Sequence, residues 1–193
     1  ARRKLGNVIP FGSYREPPVA ARDADIIVLT NADSSHDDSV LTSHFNKISD
    51  HPTITRVRSV PDGLTLFGQV APQKLEQLKG REVLAVSSIA NPSRFHELLQ
   101  QAGAKLTVLA LRDHSDYDTS VFEMIRVKGA ESNAELIVTT EKDIVKAQQG
   151  YEHLRDFPPV YTLRIAIEFL SGKEGLFKRI DATVLNTTAA TTR

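Results

Sequence analysis

The sequence predicts an α/β protein with a three-layer α/β/α, Rossmann-like arrangement around a mostly parallel sheet. Short β-branched runs recur along the chain, and most are followed by a segment with apolar residues at helical spacing. That order is typical of βαβ units with parallel strands. Runs such as ADIIVLT and VLAVSSIA hardly alternate between apolar and polar residues, which indicates strands buried on both faces.

The first elements follow from composition. Residues 1–23, punctuated by proline and glycine, are predicted to be irregular and to continue from a preceding domain. Residues 24–31 predict a strand, and the helix expected after it has N-cap candidates in Ser34 and Ser35. Residues 53–70 alternate around PDG and predict a pair of exposed strands or an interdomain β-ribbon linker.

The rest of the chain repeats the strand and helix order, so residues 24–185 are predicted to form one α/β/α domain followed by a frayed tail at 186–193. Asn91 is the expected N-cap of the first of these helices, Pro92 lies in its first turn, and Gly103 follows its end. The predicted pairs are strand 82–89 with helix 91–103, strand 105–111 with helix 118–130, strand 134–140 with helix 141–149, and strand 159–169 with helix 172–181.

Composition excludes several classes of function. Lys plus Arg and Asp plus Glu both number 24, so no overall field favours nucleic acid or an anionic membrane. The chain has no cysteine, which excludes disulfides and thiolate sites and is compatible with a cytoplasmic location. Its apolar runs are shorter than the roughly 20 residues of a membrane-spanning helix. The start at Ala1, without a signal-peptide pattern, suggests a larger protein.

The strongest candidate site follows the strand LTVLAL. Ligands bind at the carboxyl ends of parallel strands, and Asp113, His114 and Tyr117 follow such an end. A histidine beside a carboxylate suits acid–base chemistry or the orientation of a second carboxylate. The alternative is an exposed turn that caps the next helix through Asp118 or Thr119.

Two further segments contain candidate phosphate ligands. Lys142 in TTEKD lies where a strand meets a helix and could bind an anion, although a simple helix cap explains the segment equally well. Arg15 in SYREPP suits phosphate or carboxylate recognition, or else forms a surface ion pair with Glu16. The acids and histidine of SSHDD are adjacent and do not converge, so no metal site is expected. The chain contains no G-x-x-x-x-G-K-[ST] motif.

Four segments in order establish a resemblance: IPFGSYREPPVAARDADIIVLTN, VLAVSSIANPSRFHELLQQAGAKL, RDHSDYD and IVTTEKDIVK. Together they resemble the C-terminal portion of the tetraacyldisaccharide 4'-kinase, or lipid A 4'-kinase, family. The resemblance implies two α/β/α domains joined by a short β-ribbon, with the P-loop in the N-terminal domain. It also implies Mg2+- and ATP-dependent phosphorylation of the 4' hydroxyl of tetraacyldisaccharide 1-phosphate, by an enzyme peripheral to the inner membrane.

The resemblance also implies roles for residues of this chain. His114 matches the histidine thought to pair with the catalytic aspartate of the other domain, and Asp113 precedes it. Arg15 and Glu16 match the REP segment of the substrate or phosphate cleft. The remaining matches to the family segments are Tyr117 of DHxxY, Asn91 of ANP and Lys142 of TEKD.

The resemblance leaves some departures and two rival interpretations. Ser88 stands where the family usually has glycine, and Ser115 and Asp116 differ from the common residues of the DHxxY segment. Because the P-loop lysine, the Mg2+ ligands and the catalytic aspartate are missing, we expect this polypeptide to need the N-terminal P-loop domain as its partner and to be inactive alone. One alternative is a free-standing Rossmann-like module that binds a nucleotide or phosphorylated ligand without catalysis. The other is a complete small α/β enzyme that uses Asp113 and His114 alone.

Overall fold

The structure is a computed structural model in which the chain divides into two compact units. Unit 1 comprises Ala1–Ser59 and Ile167–Arg193, and unit 2 comprises Val60–Ala166. The structure describes residues 7–12, 14–32, 38–48, 53–112, 115–154 and 157–191. The predicted site residues Asp113 and His114, and the predicted caps Ser34 and Ser35, lie outside the described residues.

Unit 1 is built around a parallel strand pair. The strand β1 (Ile26–Leu29) pairs with the first residues of β2 (Thr53–Leu66), from Ile26 opposite Thr53 to Leu29 opposite Arg56. A small apolar core forms where β1 meets the helix that follows it. The other elements that contribute to unit 1 are a 3-10 helix (Pro18–Asp23), α1 (Ser39–Ile48), the end of β7 (Val160–Ser171) and α5 (Lys173–Thr191).

The strand β2 corrects one prediction. The expected pair of strands around PDG is wrong, because Thr53–Leu66 is one continuous strand of 14 residues. Gly63 has φ +145°, and a Cβ there would lie 3.0 Å from the carbonyl oxygen of Gln73. Glycine therefore lets β3 (Pro72–Gln73) pair closely with β2 without a turn at PDG.

Unit 2 contains the larger parallel sheet. Its strands lie in the order β2, β7, β6 (Leu136–Thr140), β4 (Glu82–Ser87), β5 (Lys105–Ala110), with β3 beside β2. The strands β7, β6, β4 and β5 are mutually parallel. This arrangement confirms the predicted fold class. The remaining elements of unit 2 are a 3-10 helix (Leu75–Leu78), α2 (Ser93–Gln101), α3 (Thr119–Glu131), α4 (Glu141–Ala147) and a 3-10 helix (Gln148–Leu154).

Alternate residues of β4 face two separate apolar cores. Val83 and Ala85 belong to the core formed with α2, whereas Leu84 and Val86 belong to the core formed with α3. Side chains of a strand alternate between the two faces of a sheet, so a central strand that is buried on both faces needs an apolar residue at each position. The uninterrupted apolar run in the sequence reflects this position between two helical layers.

The ends of the helices test the predicted caps. Asp118 caps α3 by accepting a hydrogen bond from the Val121 N–H at 3.0 Å. The helix-capping interpretation of this segment predicted a cap at Asp118 or Thr119. Asn91 does not cap α2: the N-cap position is Pro92, no side chain caps the helix, and Asn91 is exposed. Gly103 follows the end of α2 with φ +89°, as predicted.

The last helix is longer than predicted, since α5 continues to Thr191 instead of ending at residue 181. Within the part of the chain that the structure describes, no helix is both long enough and apolar enough to cross a membrane. The predicted domain boundaries at residues 23 and 185 remain predictions.

Candidate functional site

A buried carboxylate lies at the carboxyl edge of the sheet in unit 2. Asp143, in the first turn of α4, has a relative exposure of 0%. One carboxylate oxygen, Oδ2, accepts hydrogen bonds from the Ser88 N–H at 2.9 Å and from the Thr140 hydroxyl at 2.8 Å. The other, Oδ1, accepts from the Ser88 hydroxyl at 2.5 Å. These bonds satisfy a group that would otherwise be costly to bury.

The local sequence explains how Asp143 reaches this position. Thr140 ends β6, and its hydroxyl accepts a hydrogen bond from the Asp143 N–H at 3.1 Å, which caps α4. The same hydroxyl donates to the carboxylate of Asp143, so the two side chains bond reciprocally, as in a capping box. Ser88 directly follows β4, the neighbour of β6, so the carboxylate joins the ends of two adjacent strands.

Lys146 extends this cluster to a third segment. Its Nζ donates to the Ser88 hydroxyl oxygen at 3.1 Å and to the Ser115 carbonyl oxygen at 3.4 Å. The Ser88 hydroxyl therefore accepts from an ammonium group while it donates to a carboxylate. We call Asp143, Ser88, Lys146 and Ser115 the relay, because hydrogen bonds connect them in that order.

In the connection between β5 and α3, Ser115 is hydrogen-bonded to Arg112 beside the relay. Both the N–H and the hydroxyl of Ser115 donate to the carbonyl oxygen of Arg112, at 3.1 and 2.7 Å. The residues on either side of positions 113 and 114 are thus bonded to each other.

Tyr117 lies between the relay and the apolar core. Its hydroxyl oxygen is buried, and its ring centre lies 6.1 Å from that of Phe122. Burial, and next the charge of Asp143, raise the pKa of the Tyr117 phenol well above its ordinary value, while the hydroxyls of Thr139 and Ser88 oppose part of that rise. Tyr117 therefore stays neutral at ordinary pH.

Comparison with known proteins identifies the family. The family model described as "Tetraacyldisaccharide-1-P 4'-kinase" matches residues 1–185. The chain belongs to the tetraacyldisaccharide-1-P 4'-kinase family. This finding confirms the resemblance that the four ordered segments established.

Individual members of the tetraacyldisaccharide-1-P 4'-kinase family match most of this chain. The tetraacyldisaccharide 4'-kinase of Pelobacter propionicus is 35% identical over 142 residues, covering 73% of this chain and 37% of that protein. The one from Parabacteroides distasonis is 28% identical over 203 residues, covering 93% of this chain and 52% of that protein. The chain thus spans about half or less of the length of these relatives.

A solved structure supports the fold. The crystal structure of LpxK from Aquifex aeolicus in complex with ATP superimposes with a TM-score of 0.54 at 22% identity, and the match covers 92% of this chain and 48% of that one. At this level of identity the likeness shows the fold.

The other site residues implied by the kinase family lie in both units. Arg15 and Glu16, in unit 1, are exposed just before the first 3-10 helix, and Glu16 lines a groove of about 420 Å³. Asn91 and Lys142, in unit 2, are exposed at the start of α2 and in the first turn of α4. Tyr117, a predicted residue that the structure describes, lies beside the relay.

Unit 1 has a second groove, beside α1. Its volume is about 700 Å³, and Asp38 and Arg56 in its lining form an ion pair of 3.2 Å. Asp38 is buried and Arg56 is half-exposed, so the pair neutralises a charge on the wall of the groove. Among the residues that the structure describes, no group of three or more histidine or acidic side chains could hold a metal ion.

Sequence reasoning missed the relay. It treated Asp143 only as part of TEKD and Ser88 only as a departure from the family, and it gave Lys146 no role. The available signal was the T-x-x-D spacing at a strand-to-helix junction, which suggests a reciprocal cap. Nothing in the spacing shows that the same carboxylate reaches the end of a neighbouring strand.

Proposed function

We propose that this chain is the C-terminal lobe of an ATP-dependent kinase that phosphorylates the 4' hydroxyl of tetraacyldisaccharide 1-phosphate in lipid A biosynthesis. Its family membership and the names of its relatives support this proposal. The proposed whole protein lies in the cytoplasm at the inner-membrane surface. Its P-loop domain provides the main contacts with ATP.

The observation that best supports the proposal is the convergence of three family segments on one edge of the unit 2 sheet. Ser88 of SSIANP, Ser115 of DHSDY and Asp143 of TEKD belong to one hydrogen-bonded relay. Ligands of parallel sheets bind at this edge. Segments that are far apart in the sequence thereby support one local surface, as a shared site requires.

The proposed role of His114 is to pair with the catalytic aspartate of the P-loop domain. An imidazolium beside a carboxylate orients it and tunes its pKa, which sets how readily it accepts the proton of the sugar hydroxyl. Asp113 is the proposed neighbour that favours the charged imidazole. Arg15, Glu16, Tyr117, Asn91 and Lys142 are proposed to line or support the cleft that receives substrate and phosphate.

Mg2+ is proposed to act in the whole enzyme, without ligands from the described part of this chain. Among the described residues, no group of three or more histidine or acidic side chains converges. In kinases Mg2+ is usually held by one or two carboxylates together with substrate phosphates and waters.

The proposed domain arrangement follows the family resemblance. Residues 1–23 continue from the P-loop domain, residues 24–185 form the C-terminal domain, and 53–70 belong to the interdomain linker. Both β2 and β7 run from one unit into the other, which supports a linker role for this part of the chain.

The experiment is transfer of labelled phosphate from ATP to tetraacyldisaccharide 1-phosphate by the intact kinase that contains this chain. His114→Ala should lower kcat about 100-fold or more, the scale of lost acid–base assistance. His153→Ala is the matched control, since His153 is an exposed histidine of the same unit. Equal activity of the two variants would refute the role of His114.

The 193-residue chain alone is expected to transfer no phosphate, because phosphoryl transfer depends on a phosphate-binding loop and metal. Phosphorylation of the disaccharide by the purified chain would overturn this expectation. Wild-type kinase that binds ATP but never phosphorylates the disaccharide would instead favour a binding module without catalysis.

A further inference from the structure

We propose that Lys146 is a positioning residue that fixes the Ser115 carbonyl through the relay, and so holds the end of the β5–α3 connection that follows His114. The inference rests on the proposed function, because its catalytic consequence requires His114 to act in the kinase. Its structural consequence concerns residues of unit 2 alone and can be measured without any kinase reaction.

Charge compensation supports the first step. Asp143 is fully buried, and its carboxylate binds the Ser88 hydroxyl, which in turn accepts from the ammonium of Lys146. A hydroxyl between an anion and a cation is polarised in one direction, and each bond strengthens the other. Asp143 therefore holds Lys146 in place without direct contact between the two charges.

The relay does more than cap a helix or join two strands. Thr140 caps α4, and both the N–H and the hydroxyl of Ser88 join the end of β4 to Asp143. Neither function needs the ammonium of Lys146. What Lys146 adds is a link from the Ser88 hydroxyl to the Ser115 carbonyl, which belongs to a connection between secondary-structure elements.

The position of Ser115 matters because it is bonded back to Arg112. Both donors of Ser115 use the Arg112 carbonyl, so its own carbonyl is the group available to an outside donor. Lys146 supplies that donor from a helix, and a helix gives a more rigid support than a loop. Loss of the ammonium should therefore weaken the hydrogen bonds from Ser115 to the Arg112 carbonyl while α4 stays folded.

The first experiment measures amide hydrogen exchange in the 193-residue chain by NMR. Lys146→Met keeps the apolar stem, and the Ser88 hydroxyl keeps Asp143 as its acceptor. The Ser115 amide should exchange about five- to tenfold faster, the effect of one lost hydrogen bond on a local opening. The control is Lys128→Met, on α3, which removes an exposed ion pair with Glu131 and should leave Ser115 unchanged.

A second variant tests the relay itself. Ser88→Ala removes the hydroxyl but keeps the backbone bond to Asp143, so it should accelerate exchange at Ser115 as Lys146→Met does. Unchanged exchange in Lys146→Met would overturn the inference. Acceleration by Lys146→Met without acceleration by Ser88→Ala would overturn the relay as its cause.

The catalytic consequence is measured in the intact kinase. Lys146→Met should lower kcat about tenfold with little change in KM for ATP, and Lys146→Arg should restore part of the loss because it keeps a cationic donor. A lower melting temperature with unchanged kcat would indicate a merely structural residue and would refute the positioning role.

The two proposals can fail separately. If His114→Ala leaves kcat unchanged, the proposed function of His114 is wrong whatever Lys146→Met does to exchange. If His114→Ala lowers kcat but Lys146→Met alters neither kcat nor the exchange of Ser115, the proposed function stands and the inference about Lys146 is wrong.

Discussion

Replacing Asp143 by alanine is the sharpest test of how unit 2 is stabilised. The change removes the acceptor of three hydrogen bonds, from the Ser88 N–H, the Ser88 hydroxyl and the Thr140 hydroxyl. It leaves the Thr140 cap of the Asp143 N–H intact, because that bond uses the backbone. The loss therefore concerns the carboxylate and not the start of the helix.

The magnitude follows from these bonds. Hydrogen bonds to a charged group contribute about 1.5–3 kcal/mol each, so three of them amount to about 4.5–9 kcal/mol before desolvation is considered. Burying a carboxylate costs several kcal/mol, and its removal recovers that cost. We therefore expect Asp143→Ala to lower the free energy of unfolding by about 3–5 kcal/mol, as for other broken buried charge networks.

The assay is urea denaturation of the 193-residue chain, with amide exchange to assign the transition to unit 2. Asp118→Ala is the control, because Asp118 caps α3 at an exposed position and should cost about 1 kcal/mol. If Asp143→Ala lowers the free energy of unfolding by no more than Asp118→Ala does, the reasoning is refuted. Such a result would mean that the three hydrogen bonds to the carboxylate barely exceed the cost of burying it.

Three more predictions use the same denaturation assay. Leu84→Ala, at a side chain with 0% exposure, should cost about 2–5 kcal/mol, and a loss below 1 kcal/mol would mean that the site is not packed. Gly172→Ala should cost about 2–4 kcal/mol, because φ is +78° and the Cβ would overlap the carbonyl oxygen of Ile54. Gly68→Ala, at φ +79° with open space around it, should cost only about 1–2 kcal/mol. If the two glycine variants lose the same free energy of unfolding, the close contact at Gly172 contributes nothing to the loss. Tyr117 has a raised phenol pKa in the folded chain, so its stabilising contribution is full below its ordinary pKa of 10.0 and is lost as pH rises above it. As pH rises from about 9 to 11, the free energy of unfolding of Tyr117→Phe should therefore fall less than that of the wild type. Equal decreases in the two proteins would contradict this.

The sequence was sufficient to predict most of unit 2. Each strand from β4 to β7 was expected within a few residues, because each leaves a compact run rich in apolar and β-branched residues. Asp118 and Gly103 were identifiable because caps depend on residues next to one another. Such local rules do not need the tertiary structure.

Long-range geometry limited the remaining predictions. The PDG segment resembled a turn, but Gly63 adopts φ +145° and lets the strand continue beside Gln73. The relay was missed because Ser88 and Asp143 lie 55 positions apart, and a serine or an acid near a helix start usually has a local role. The predicted site at 113 and 114 depends on the family resemblance and remains a prediction.

The division of the chain into units has a consequence for synthesis on the ribosome. Unit 2 is one continuous stretch and is complete once Ala166 has left the exit tunnel, whereas unit 1 also needs Ile167–Arg193. The hydrogen bond from the Thr55 hydroxyl to the Gly172 carbonyl joins residues 117 positions apart. The part of unit 1 that is translated first must therefore wait for Ile167–Arg193 before this hydrogen bond can form.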